Sequence, residues 1–222
     1  MSLSTTWSDV DHYYGDLLVQ PDPLFDHILV ESERAGLPAI NITAHQGKML
    51  AILVRLLNAR RVLEVGTLGG YSSAWMASSL PEGGELITLE LNPDWAEIAN
   101  QNLAPFDFSE QIRIKLGYAT ESMQAMIDNQ APPFDLIFND ADKTQYADYL
   151  AKAVELSRPG TTIIADNVVR NGEVTRDDST DALVQGIRRF NEAVADDPRL
   201  DATVIQTVGS KGYDGFCILA VM

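Results

Sequence analysis

Much that common protein classes rely on is missing from this sequence. Cysteine occurs once in 222 residues, at Cys217, so no disulfide can form within the chain and a reducing compartment is the natural setting. The run around it, Phe216 to Val221, is apolar and marks it as a core residue. Histidine occurs three times, at His12, His27 and His45, and with one thiol these offer no nitrogen or sulfur metal site. Basic residues are scarce: 16 Lys and Arg stand against 32 Asp and Glu, a formal net charge of −16. Beyond the pairs Arg60-Arg61 and Arg188-Arg189 they do not cluster, so a nucleic acid would be repelled. No apolar run approaches the ~18 residues of a membrane span. The opening Met-Ser-Leu-Ser-Thr-Thr-Trp lacks the basic and apolar pattern of a signal peptide. Repeats, low-complexity tracts and long linkers are absent too. The expectation is a cytoplasmic protein with a small-molecule substrate, no nucleic-acid partner and no membrane attachment. A hydrophobic content of 45% suffices for one full core, expected as a single domain over residues 1–222 with residues 1–43 as a helical appendage.

What is present is organised around residues 61–73, Arg-Val-Leu-Glu-Val-Gly-Thr-Leu-Gly-Gly-Tyr-Ser-Ser. Val62, Leu63 and Val65 read as a short buried parallel strand. Gly66, Gly69 and Gly70 punctuate a turn in which a ligand can approach the backbone closely. A helix follows from Tyr71, with Ser72 and Ser73 in a first turn whose free N–H groups suit a polar or anionic group. The dinucleotide fingerprint is not met, because Leu68 and Tyr71 stand where its second and third glycines belong. Glu64 lies inside the strand, where a buried carboxylate needs a partner or a cationic ligand group. Glu90, 24 residues beyond Gly66 (90 − 66), closes a second apolar strand at about the spacing of a ribose-binding acid. These features suggest a nucleoside ligand with a positive arm.

Helices are expected over 8–19, 23–35 and 44–58, the second capped by Asp22 with Pro23 at its first position and Gly36 as its stop. From Arg61 strands at 62–65, 85–91, 111–116, 134–139 and 161–165 alternate with helices at 71–80, 94–103, 120–129 and 145–157. Such alternation predicts a parallel, doubly wound α/β sheet with ligands beyond its carboxyl strand ends. A helix over 180–195 and two β-type runs, 202–208 and 215–221, complete the pattern with a hairpin at the sheet edge. The strand at 134–139 runs into Asp140-Ala141-Asp142-Lys143 and the strand at 161–165 into Asp166-Asn167. Asp140, Asp166 and Asn167 are hard oxygen donors suited to Mg²⁺, Mn²⁺ or Ca²⁺. Taken singly, each aspartate also reads as a turn or helix cap. Lys143 opens a helix, where the dipole disfavours a cation, and otherwise reads as a solvated surface residue.

Together these stretches resemble the class I S-adenosylmethionine-dependent methyltransferases, in particular the cation-dependent O-methyltransferases of the catechol and caffeoyl-CoA type. The resemblance runs over nearly the whole chain and is strongest at Asp140-Ala141-Asp142-Lys143, followed by Asp166-Asn167 26 residues on (166 − 140). It implies the Rossmann-like, seven-stranded methyltransferase fold with a mostly parallel sheet and a C-terminal antiparallel hairpin strand. It implies S-adenosylmethionine held by Glu64, Gly66, Thr67, Gly70 and Ser72, with Tyr71 over the methionyl arm, Glu90 on the ribose, Ala119 at the adenine, and Asp140 and Asp142 near the methionyl amine. Ile42 matches a position whose backbone touches the cofactor, though its side chain reads equally as core. A divalent cation, Mg²⁺ or alternatively Mn²⁺ or Ca²⁺, is implied at Asp140, Asp166 and Asn167. Catalysis is implied at Lys143 and Asp140, and substrate contact at Asn171, which also reads as a turn residue beside Gly172. The reaction implied is methyl transfer to a hydroxyl of a small aromatic vicinal diol, a catechol or caffeoyl-type acceptor. RNA methylation on the same fold is the alternative, and the charge of −16 opposes it. A homodimer is expected, since Leu17, Leu18, Leu24 and Phe25 exceed what a small appendage buries alone.

Overall fold

The computed structural model of the chain describes residues 3–19 and 22–222. Two compact units divide at Tyr118 and Ala119. Among the described residues no helix is long and apolar enough to cross a membrane.

In the first unit, α1 (Leu3–Leu18), α2 (Pro23–Arg34) and α3 (Ala44–Leu56) precede three strands: β1 (Arg61–Val65), β2 (Glu85–Glu90) and β3 (Ile112–Leu116). The strands are parallel in the order β3-β2-β1, with Val62 opposite Leu86 and Leu86 opposite Ile112. The crossovers are α4 (Tyr71–Ala77) and α5 (Pro93–Leu103). Val62, Leu63 and Val65 are buried, as expected of a strand covered on both faces. Caps set the helix starts: the Asp22 carboxylate accepts from Leu24 N at 2.9 Å, and Thr43 and Gln46 form a reciprocal capping box. α1 starts at Leu3, five residues before Ser8 (8 − 3), because the polar Ser4-Thr5-Thr6 stretch joins the helix. The N-terminal segment is built into this unit's packing. Phe25 meets Trp75 at a ring-centroid distance of 4.3 Å, Phe106 at 5.3 Å and Tyr71 at 6.1 Å. That corrects the dimer argument at one residue, since Phe25 is buried. Val10, Tyr13, Tyr14, Leu17 and Leu18 on α1 stay exposed.

The second unit contains α6 (Ala119–Asp128), β4 (Leu136–Asn139), α7 (Tyr146–Glu155), β5 (Thr162–Ala165), α8 (Ala182–Asp196), β6 (Leu200–Gly209) and β7 (Gly212–Val221). Its strand order is β4-β5-β7-β6; β4 and β5 are parallel, whereas β7 runs antiparallel to both β5 and β6. β7 starts three residues before the expected Gly215 (215 − 212). Gly209 pairs with Gly212 across the two-residue turn Ser210-Lys211, so the polar Tyr213 and Asp214 belong to the ladder. Cys217 is buried in β7, and burial pushes its thiol up to about 11. Between β5 and α8 lies a kinked 3₁₀ segment, Arg170–Thr175.

Candidate active site

The turn after β1 is held almost entirely by its own unit. Gly66 and Gly70 take φ of +103° and +86°, backbone that only glycine adopts without strain, and Gly70 is the residue from which α4 starts. Leu68, also left-handed at φ +51°, donates its N–H to Glu90 Oε2 at 2.9 Å. Glu90 Oε1 accepts from Leu91 N and Asn92 N, each at 2.9 Å. One carboxylate thus fastens the Gly66–Gly70 turn to the end of β2. The Thr67 and Thr88 hydroxyls lie 2.6 Å apart and share a hydrogen bond.

Glu64 is fully buried, and the Ser72 and Ser73 hydroxyls both donate to its carboxylate. This corrects the argument that its burial demands a cationic ligand: the first turn of α4 supplies the partners. Tyr71 is buried with its ring edge-on to Phe25 and Trp75, and burial pushes its hydroxyl pKa up. Its ring belongs to an aromatic cluster with Phe25 and Trp75. Ile42 has a buried side chain, and its carbonyl accepts from Asn41 Nδ2 at 2.9 Å.

In the second unit the acidic strand ends form one electrostatic group. Asp140 follows β4 and Asp166 follows β5, and the buried Tyr146 hydroxyl lies 3.0 Å from the backbone carbonyls of both Asn139 and Asp166. Asp166 is 4% exposed, and its Oδ1 accepts from Asn167 N at 2.8 Å. Burial first, then the charge of Asp140, raises its pKa to about 7, with Asp214 adding to the rise while the Asn167 N–H and Lys143 oppose it. Lys143 Nζ donates to Asp140 Oδ1 at 2.7 Å and sits 5.4 Å from the Tyr146 ring centroid. That ion pair explains a lysine at this helix start and removes the reading of a solvated surface residue.

Asp142 behaves differently from its neighbour two positions before. It caps the 3₁₀ turn Lys143–Gln145, accepting from Thr144 N at 3.0 Å and Thr144 Oγ1 at 2.8 Å. Burial works to raise its pKa, but the Thr144 and Gln145 hydrogen bonds and the Lys143 charge bring it below the ordinary value. Its carboxylate is occupied by its own turn, which is the capping reading. Ala119 opens α6. Asn167 and Asn171 take left-handed φ of +58° and +55°, and Asn171 is exposed.

Four residues escaped the sequence reading. Tyr146 was visible only as an aromatic in the first turn after the acidic run. Gly186 sits mid-helix in α8, where a glycine costs roughly 1 kcal/mol relative to Ala and so signals a close contact: a Cβ there would lie 2.2 Å from the Lys143 carbonyl oxygen. Lys211, in the hairpin turn, is near enough to Asp140 and Asp166 that both favour its charged form, while burial lowers its pKa. Asp214 is taken up below.

Both carboxylates suit a hard cation. Among the described residues no three His, Cys, Asp or Glu side chains gather as a metal-binding group; the donor set here is two carboxylates and an amide. The raised pKa of Asp166 is the physical sign of fit, since a divalent cation would relieve the repulsion that Asp140 exerts on it.

Comparison with known proteins decides the family. The O-methyltransferase family profile matches residues 20–216. This chain belongs to the O-methyltransferase family. It is 44% identical to a catechol O-methyltransferase of Niastella koreensis, over 97% of each chain. Among solved structures, the O-methyltransferase from Bacillus cereus in complex with SAH superposes with a TM-score of 0.97 at 45% identity, over 99% of this chain and 100% of that one. TomG from Streptomyces achromogenes, an O-methyltransferase involved in tomaymycin synthesis and solved with SAM, gives 0.96 at 41% identity over 100% of both chains. The O-methyltransferase fold is therefore the seven-stranded, mostly parallel, Rossmann-like one, with antiparallel β5-β7-β6.

Proposed function

We propose that this O-methyltransferase uses S-adenosylmethionine and a divalent cation to methylate one hydroxyl of a small aromatic vicinal diol. The single observation that carries the reading is Asp166, a buried carboxylate whose pKa is raised to about 7 by burial and by Asp140. Lys143 answers Asp140 and opposes the rise only in part, and a divalent cation would relieve the repulsion that remains on Asp166. Asp140, Asp166 and Asn167 would hold that cation. When bound, it would supply a Lewis acid that favours the acceptor's oxyanion.

The chain's own residues do the rest. Gly66, Thr67, Gly70 and Ser72 are assigned to the cofactor and Glu90 to its ribose, while the carboxylates of Glu90 and Glu64 also keep this turn fixed. Ala119 is assigned to the adenine. The hydrogen bonds of Asp142 argue against its contact with the methionyl amine, and Asp140 remains the acidic group on that side. Lys143 is assigned to the proton lost from the acceptor hydroxyl: as the ammonium paired with Asp140 it stabilises the oxyanion, and it accepts the proton once its own has been given up. Asn171, exposed on its loop, is assigned to the acceptor. Holding cofactor and acceptor at near-attack distance supplies much of the rate. A homodimer is proposed through the exposed α1 residues Val10, Tyr13, Tyr14, Leu17 and Leu18.

The test is a methyl-transfer assay over catechols and caffeoyl-type acceptors, with Mg²⁺ and with EDTA. Mono-methylation that requires the ion is expected. Turnover of these acceptors at the same rate in EDTA would refute the metal reading, and activity on RNA alone would refute the acceptor class. Light scattering at tens of micromolar checks the dimer, which a monomer mass would exclude.

A further inference from the structure

The loop after β5 carries Asn167 and Asn171 in a backbone that most residues avoid. Asn167, Arg170, Asn171 and Gly172 have φ of +58°, +53°, +55° and +84°. Three of these four are not glycine, and such conformations persist only where surrounding contacts fix them. The fixing contact comes from β7. Oδ1 of Asp214 accepts from Val169 N at 3.1 Å and Arg170 N at 2.9 Å, and also from Gly215 N at 2.9 Å. Successive N–H groups converging on one carboxylate oxygen form an anion-binding nest, here filled by the protein's own side chain. Beside it Val168 N donates to Gly215 O at 2.9 Å. A Cβ on Gly215 would come within 2.6 Å of Val169 Cγ2, so loop and strand are in direct contact.

We infer that Asp214 is a positioning residue which, by binding the backbone of Val169 and Arg170, sets the loop geometry that aims Asn167 at the cation and Asn171 at the acceptor. The inference rests on the roles proposed above for those two asparagines. Oδ1 of Asp214 is taken up by three N–H groups, so its part is to hold backbone. Partners that orient the groups around a metal change metal affinity by roughly 10- to 100-fold when removed.

The experiment uses the full chain and Mn²⁺ as the probe, with binding followed by electron paramagnetic resonance and SAH binding followed by calorimetry. Asp214→Ala is expected to weaken Mn²⁺ binding about 10- to 100-fold and to raise acceptor KM, with SAH affinity unchanged. Asp214→Asn keeps an oxygen acceptor in the same place and is expected to recover most of both losses. Should Asp214→Ala not fold, Asp214→Ser takes its part with the same expected loss. A parental protein that binds no Mn²⁺ would overturn the metal reading and this inference with it. Parental Mn²⁺ binding that Asp214→Ala or Asp214→Ser leaves untouched would overturn this inference alone, and a fall in stability with unchanged Mn²⁺ affinity and KM would reduce Asp214 to a structural residue.

Discussion

The two units each bury acidic side chains at the ends of parallel strands, and they treat them in opposite ways. In the first, Glu64 accepts from two serine hydroxyls and Glu90 from three backbone N–H groups, so local donors answer both charges. In the second, Asp166 accepts from Asn167 N, and the charge of Asp140 raises its pKa further than Lys143 and that N–H lower it. The first arrangement shapes a turn, and its hydrogen bonds offset the burial of both carboxylates in the absence of ligand. The second is held under electrostatic load, as groups prepared for a cation are.

That contrast is broken or sharpened most by removing a carboxylate from the loaded side. Asp140→Ala or Asp166→Ala should lower turnover at least ~100-fold, and Asp166→Ala should do so with SAH affinity, measured by calorimetry, at the parental value. Chelation should imitate both. A parallel fall in SAH affinity would show that the units do not divide the work.

The second effect is on pH. Folded Asp166 keeps its proton up to about 7, whereas an unfolded aspartate loses it near ~3.9. Between those values the folded state binds the proton more tightly, so the group's contribution to stability is full at the acid end and is lost as pH rises through 7. Thermal melts in EDTA should therefore be lower at pH 8 than at pH 5.5 on this account. Asp166→Asn should flatten the difference, and Mg²⁺ added at pH 8 should restore stability to the parent alone. An unchanged slope in Asp166→Asn would assign the pH dependence to other groups.

On the scaffolding side, Glu90→Ala strands the N–H groups of Leu68, Leu91 and Asn92. A loss of roughly 2–3 kcal/mol in denaturant stability and at least ~10-fold in SAH affinity is expected, at one step of affinity per ~1.4 kcal/mol. Mn²⁺ binding should not move. The smallest effect is expected at Gly186→Ala, which pushes α8 against the Lys143 backbone at about 1–3 kcal/mol. Acceptor turnover should fall with it and SAH affinity should not, a split that calorimetry and initial rates read directly.

How much of this was legible in the sequence follows from how local each feature is. β1, β2, β4 and β5 could be read because strands buried on both faces are nearly continuous apolar runs, and Asp22 could be read because a cap acts within its own turn. Asp140 and Asp142 show where reading stops. The same residue type stands two positions apart, and only the 3₁₀ turn Lys143–Gln145 makes one a cap and leaves the other beside Asp166. The need of Glu64 for a ligand was misjudged because Ser72 and Ser73 lie one turn away in space but eight and nine residues along the chain. Phe25 was misassigned for the same reason, since its partners Tyr71, Trp75 and Phe106 come from later elements. Asp214 and Gly186 act on residues more than 40 positions away, a range that no periodicity reports.

The lone thiol gives this protein a built-in clock. Cys217 pairs in register with Ala165, the residue before Asp166, and is buried. Its modification by an aromatic disulfide reagent therefore requires a local opening of the packing over β7, and burial, which keeps the sulfur protonated, slows any reaction in place. With no other sulfhydryl in the chain, the labelling rate reports how readily that packing opens. The same rate measured with and without Mg²⁺ would then say how strongly an ion beside Asp166 clamps the strand that precedes it.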